Sequence, residues 1–188
     1  MNGEREAAPR RRSIKKIVGL AAAPVLALIV VGGVVWTTRC PCGAFPGFVL
    51  LGDVQDQPVT DWSFANDATV CQIQIGTTWG PHAVNLNCMA TPDGQLYLSC
   101  GNGANKFWCP QVGARSLGRL RLNGVVYPVL LTRVTDEATL DAAWTARIKK
   151  LQNPEVRALQ ASGDTGSPPV DTPRPDHWWS FNVRSRTG

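Results

Sequence analysis

The stretch "TPDGQLYLSCGNGANKFWCP", from Thr91 to Pro110, gathers residue types that can hold an anion. Gly101 and Gly103 allow a backbone to approach a ligand closely, Asn102 and Asn105 carry short amides, and Lys106 supplies a cation where a helix is expected to open. It is not a P-loop, because Asn105 rather than glycine precedes Lys106 and Phe107 follows it. Pro110 shortens or kinks the expected helix. The plainer reading makes Lys106 a solvated lysine and the glycines the makings of a turn.

Other residues are open to two readings. His82 follows Gly80-Pro81 and either faces a ligand or ends a turn. Trp79, Trp108 and Trp178 can stack on a planar ring or fill a core. Arg119 and Arg121 alternate outward and read as a solvated face. No catalytic acid–base set stands out: there is no G-x-S-x-G and no carboxylate pair in an apolar frame. The cysteines, Cys40, Cys42, Cys71, Cys88, Cys100 and Cys109, show no C-x-x-C, and the histidines are not paired at metal spacing. An even number permits disulfides if the domain lies outside the cytoplasm. "CPC" at Cys40–Cys42 is a candidate redox pair or metal clip, but the two cysteines are too close for an unstrained bridge, so each is expected to pair elsewhere or stay reduced.

Alternating patterns position these residues. "VCQIQI" turns Cys71, Ile73 and Ile75 to one face. "AVNLNCMA" sets Val84, Leu86, Cys88 and Ala90 against Asn85, Asn87 and Met89, and "QLYLSC" sets Leu96, Leu98 and Cys100 inward. A three-residue loop, Pro92-Asp93-Gly94, pairs Ala90 with Leu96, Cys88 with Leu98 and Leu86 with Cys100, which keeps the apolar residues on one face and Gly94 left-handed. Cys88 and Cys100 are then diagonal and unsuited to a bridge. Asn123-Gly124 marks a two-residue hairpin, with Leu120, Leu122, Val125, Tyr127, Val129 and Leu131 on one face. Val126, Pro128 and Leu130 make the returning strand apolar on its other face too, so it needs cover there. "TDEATLDAAWTARIKKL" is a helix capped at Thr135 or Asp136, with Leu140, Trp144, Ile148 and Leu151 as its stripe. "PEVRALQ" adds a short turn of helix, residues 162–176 are a linker, and "HWWSFNVRSR" is a last strand that returns to the sheet.

The N-terminal part is different. The chain has 188 residues and a pI near 9.1, but six of its 19 Lys and Arg lie in residues 1–16. Beyond residue 16 there are 13 basic and 12 acidic residues, a net of +1, which leaves no basic face for nucleic acid. Residues 17–36, "IVGLAAAPVLALIVVGGVVW", carry no charge, and twenty helical residues span about 30 Å. The expectation is a basic cytoplasmic tail over 1–16, an uncleaved transmembrane helix over 17–36, a Gly/Pro-rich tether over 37–60, and a domain over 61–188 outside the plasma (inner) membrane. "RRRSIKK" is similar to a twin-arginine export signal, with Arg10 in place of the usual small hydroxyl residue; ordinary positive-inside flanking accounts for it as well.

Six short strands in mostly antiparallel steps suggest a small closed barrel. "GPH" entering a strand, "PDGQLYL", "GANKFW" and "GRLRLNGVVYPVLLTRVTD" resemble the pyridoxamine 5′-phosphate oxidase-like, FMN-binding split β-barrel superfamily, which includes deazaflavin-dependent reductases. The likeness runs from about Asp61 to Thr135. It implies a six-stranded split β-barrel, mainly β with helices, here preceded by a transmembrane helix. It also implies a homodimer that holds FMN, or alternatively a deazaflavin, at its interface. On that likeness Lys106 contacts the cofactor phosphate, with Gly101, Asn102, Gly103 and Asn105 around it and Trp108, His82 and Trp79 nearby. Asn102 and Asn105 stand where family members often carry a hydroxyl residue. The activity expected is that of a flavin-dependent oxidoreductase, in which the cofactor supplies the electron chemistry. The alternative is a cofactor-free barrel that serves as an interaction or assembly module at the membrane.

Overall fold

The computed structural model describes residues 11–113, 115–158 and 168–187, with side chains from residue 23 onward except at 115, 157 and 158. The chain forms two compact units, Met1–Trp36 and Thr37–Gly188. The first is carried by one helix, α1 (Arg11–Arg39), which opens inside the basic cluster and continues through Pro24. Among the described residues no helix is long and apolar enough to cross a membrane, and this corrects the transmembrane helix expected over 17–36.

The second unit is one eight-stranded sheet: β1 (Asp53–Val54), β2 (Cys71–Thr77), β3 (Gly80–Leu86), β4 (Cys88–Ala90), β5 (Leu96–Cys100), β6 (Arg115–Leu122), β7 (Val125–Arg133) and β8 (Trp179–Ser185). The order is β3-β2-β6-β7-β8-β5-β4, with β1 parallel to β7 and the other pairs antiparallel. This antiparallel half-barrel replaces the expected six-stranded barrel for two reasons. The strand over 80–90 breaks at Asn87: its ladder to β2 ends at Leu86 and its ladder to β5 begins at Cys88, so the two pieces lie at opposite ends of the path. Asp53–Val54 then adds a strand in the segment expected to be a tether.

Local expectations fare better. Cys88 pairs with Leu98 and Ala90 with Leu96, and Gly94 has φ +78. Leu86 lies opposite Cys71, not Cys100, because of the break at Asn87. Asn123 and Gly124 both have positive φ between paired Leu122 and Val125. The inward residues, among them Ile73, Ile75, Leu98, Leu120, Leu131 and Phe181, form the main core. Helix α2 (Trp108–Gln111) is a single turn that adds Trp108 and Cys109 to that core.

Helix α3 (Glu137–Lys150) starts at Asp136, whose Oδ2 accepts from the Thr139 N–H at 2.9 Å. It lies on the other side of the sheet and builds a second cluster from Leu140, Trp144 and Ile148 with Met89, Tyr97 and Trp178. Met89, expected among outward residues, is fully buried there because both faces of β4 are covered. Helix α4 (Pro154–Ala158) follows. β8 inserts between β7 and β5 and so holds the half-barrel together from the C-terminal side.

On the second apolar face of β7, Val126 is packed from within the chain, while Pro128 and Leu130 are half-buried. Val126 is fully buried, the Gln55 N–H donates to its carbonyl, and a side chain on Gly52 would meet its methyl group at 3.1 Å. Leu50 is fully buried in the same segment.

Three disulfides join the cysteines: Cys40–Cys42, Cys71–Cys88 and Cys100–Cys109. Cys88 and Cys100 are not bridged to each other, as their register requires. The pairing of Cys40 with Cys42 corrects the expectation that each pairs elsewhere or stays reduced: the turn at Pro41 sets the two sulfurs side by side. Cys71–Cys88 ties β2 to β4, which lie near opposite ends of the sheet path.

Candidate functional site

The loop between β5 and α2 is closed at its base by Cys100–Cys109. Much of its hydrogen-bonding capacity is spent inside the protein. The Gly103 N–H donates to the His177 carbonyl, the Asn105 and Lys106 N–H groups both donate to the Asn102 carbonyl, and the Asn105 side-chain amide donates to Asn102 Oδ1. Gly103 is required by packing, since a Cβ there would fall 2.1–2.4 Å from the Trp179 ring. The Arg133 guanidinium covers that ring at 3.4 Å. Gly101, Asn102, Asn105 and Lys106 are exposed. What the loop offers outward is chiefly the Lys106 ammonium; α2 is too short to present an anion site at its N-terminus.

The other expected residues are dispersed. Trp108 is buried against Phe181 in the core, and Trp178 is buried under α3 with its indole N–H donating to Ser99 Oγ. Trp79 is 87% exposed beside the β2–β3 turn. His82 is the one that meets the loop: its ring contacts Phe107 edge-on, and partial burial pushes the imidazole pKa below its usual value.

A cleft of about 400 Å³ lies elsewhere, on the outer side of β2, β6 and β7. Strand register builds it. Gln74 pairs with Arg119, Arg119 with Pro128, and the Arg186 N–H donates to the Pro128 carbonyl, so these four residues form one row across the sheet. Val54 and Leu117 supply apolar walls. Among the described residues, neither the Arg119 nor the Arg186 guanidinium has a carboxylate partner; the ion pairs are those of Arg174 with Glu137 and Asp141. One row along, Arg121 is engaged: it donates to Gln72 Oε1 and to the Leu51 carbonyl, and burial lowers its pKa. Gln74 Oε1 accepts from the Leu50 N–H, which leaves its NH₂ for a ligand.

None of the eight expected residues lines this cleft. The outward direction of Arg119 was legible from alternation, but its alignment with Arg186 depends on pairings between distant strands. Chemically, two unpaired guanidinium groups can clamp an anion by charge-assisted hydrogen bonds, with apolar walls beside them for a less polar body.

No family model matches the chain, and no curated protein matches it. Among solved structures it is similar to a pyridoxamine 5′-phosphate oxidase-related, FMN-binding protein of Nostoc punctiforme PCC 73102, at 15% identity, over 65% of this chain and 71% of that chain, with a TM-score of 0.37, a superposition too loose to carry an argument about cofactor or activity.

Proposed function

We propose that the sheet domain binds a phosphate-bearing cofactor of the flavin class in the cleft between Arg119 and Arg186, and that it works as an oxidoreductase. The observation that carries this reading is the pair of guanidinium groups, without a carboxylate partner among the described residues, at the edge of a cleft of cofactor size. The residues fit the group: the arginines would hold the phosphate, and Val54, Leu117 and Pro128 would line the ring system. A bound flavin supplies the electron-transfer chemistry, and the chain supplies position and charge. Leu117 is 60% exposed beside the cleft, and a second copy of the chain docking there would complete the wall.

Titration of the full chain with FMN and with riboflavin, followed by flavin fluorescence, tests the reading. Arg119→Ala and Arg186→Ala should each weaken FMN binding by roughly 10- to 150-fold, the equivalent of one charged hydrogen bond of about 1.5–3 kcal/mol, and leave riboflavin nearly unchanged. Lys106→Ala should leave both affinities unchanged; a loss confined to FMN in that variant would move the phosphate to the loop. Failure to bind either flavin would favour the second reading, a cofactor-free interaction module, which the exposure of Trp79 and Leu117 supports.

A further inference from the structure

The three disulfides fall into two kinds. Cys71, Cys88, Cys100 and Cys109 are each at most 2% exposed, and their bridges join residues 17 and 9 apart in the sequence. Cys40–Cys42 joins cysteines two residues apart, a loop so short that the bond removes little freedom from the unfolded chain. Its two ends also differ in environment: Cys40 is buried and Cys42 is exposed. A bridge that contributes little as a staple and presents one end to solvent has the properties of a labile disulfide, not a structural one.

The turn that carries it is held by other means. The Pro41 carbonyl accepts from Gln72 Nε2 at 3.3 Å and from Asn85 Nδ2 at 3.4 Å, and the Gly43 carbonyl accepts from Asn85 Nδ2 at 2.9 Å. Cys42 and Phe45 exchange both backbone hydrogen bonds, and so do Gly47 and Ala83. Gly47 lies so close to the Cys40 carbonyl that a Cβ would fall 2.3 Å from it. These bonds do not depend on the sulfurs being joined, so the two thiols of the reduced form stay together and can be reoxidised. A metal clip finds no support, since no group of three metal-ligating side chains occurs among the described residues.

We infer that Cys40–Cys42 is a thiol–disulfide exchange site whose substrates are dithiols. A substrate thiolate attacks Cys42 Sγ, the Cys40–Cys42 bond breaks, and Cys40 leaves as a thiolate. The second substrate thiolate then attacks the substrate's own sulfur in the mixed disulfide and releases Cys42. Two electrons and two protons pass from the substrate, which becomes a disulfide, to the Cys40/Cys42 pair. With a substrate disulfide the same steps run in reverse.

The test uses the full chain in dithiothreitol buffers of graded redox ratio, quenched with iodoacetamide and mapped by mass spectrometry. Cys40 and Cys42 should be alkylated at a reduced-to-oxidised ratio at least about tenfold lower than the other four cysteines require, as expected of a bridge with one exposed end against bridges buried at both ends. Brief exposure to reduced glutathione should leave the glutathione adduct on Cys42, not Cys40. The single thiol left in Cys40→Ser should react with a disulfide reagent at least about tenfold faster than that left in Cys42→Ser, because reaction follows access. Reduction of all three bridges together, an adduct on Cys40, or equal thiol rates would each overturn the proposal. The alkylation map needs no variant and decides the matter even if a variant fails to fold.

Discussion

Lys150 shows what a single residue can hide. It ends α3, where a lysine complements the helix C-terminus, yet it is buried, with Nζ donating to the Ala65 carbonyl at 2.7 Å and the Cys88 carbonyl at 2.8 Å. Burial pushes its pKa down to about 8 from 10.5, and only the charge of Asp67 opposes that shift. A cation whose folded pKa lies below its unfolded value holds fewer protons in the folded state across the interval between the two. Its contribution to stability therefore rises with pH from about 8 to about 10.5, by about 3 kcal/mol in total. Burial raises the pKa of Tyr97 and Tyr127, so these two add the opposite slope above about pH 10. Urea unfolding at pH 8, 9 and 10 should show the wild-type midpoint climb relative to Lys150→Met; parallel profiles would refute the buried-cation account. Gly103 makes a second residue-scale point. Its lack of a side chain looks like a concession to a ligand, but the Trp179 ring occupies that space. Gly103→Ala should cost about 1–3 kcal/mol by overpacking. Gly101→Ala, where a Cβ meets nothing, should change stability by less than about 0.5 kcal/mol.

At the scale of elements, what could be read from the sequence was what neighbours in the chain decide. Alternation over Cys71–Ile75 and Leu120–Leu131, the left-handed Gly94 and the Asn123-Gly124 turn are local signals, and each strand or hairpin they imply is present. Missed features arise from contacts between distant segments. Nothing near Met89 announces that α3 will cover it, and nothing near Asn87 announces that the ladders on its two sides belong to opposite ends of the sheet. The candidate cleft has the same origin, because it exists only once β2, β6, β7 and Arg186 are aligned. Residues 50–55 are the clearest case. They lie in the Gly/Pro-rich, aperiodic stretch 37–60 that reads as a tether, whereas Leu50 is fully buried and β1 pairs alongside β7 in the sheet. Leu50→Ala should therefore cost about 2–5 kcal/mol in urea unfolding, as a core truncation does. A chain starting at Asp61, which uncovers Val126, should be less stable than one starting at Thr37. Equal midpoints for the two chains would return this segment to the role of a passive linker.

For the whole molecule, the disulfides bear on where it can work. Two interior bridges, one across β2 and β4 and one across the base of the β5–α2 loop, suit folding in an oxidising compartment, and on that ground we propose that the sheet domain lies outside the cytoplasm. The same bridges give a ranked prediction. If a disulfide stabilises chiefly by restricting the unfolded chain, its effect grows with the logarithm of the loop it closes. Separations of 17, 9 and 2 residues then correspond to about 3, somewhat under 3 and under about 2 kcal/mol for Cys71–Cys88, Cys100–Cys109 and Cys40–Cys42. Burial sharpens the ranking, because paired serines in place of the interior cysteines bring hydroxyl groups into an apolar core, while Cys42→Ser lies at the surface. Urea unfolding of the three double serine variants should give the largest loss for Cys71/Cys88 and the smallest for Cys40/Cys42. A Cys40/Cys42 variant as damaged as the Cys71/Cys88 variant would make all three bridges staples. It would also remove the distinction on which the exchange site depends, since a bond that holds the domain together cannot open and close without unfolding it.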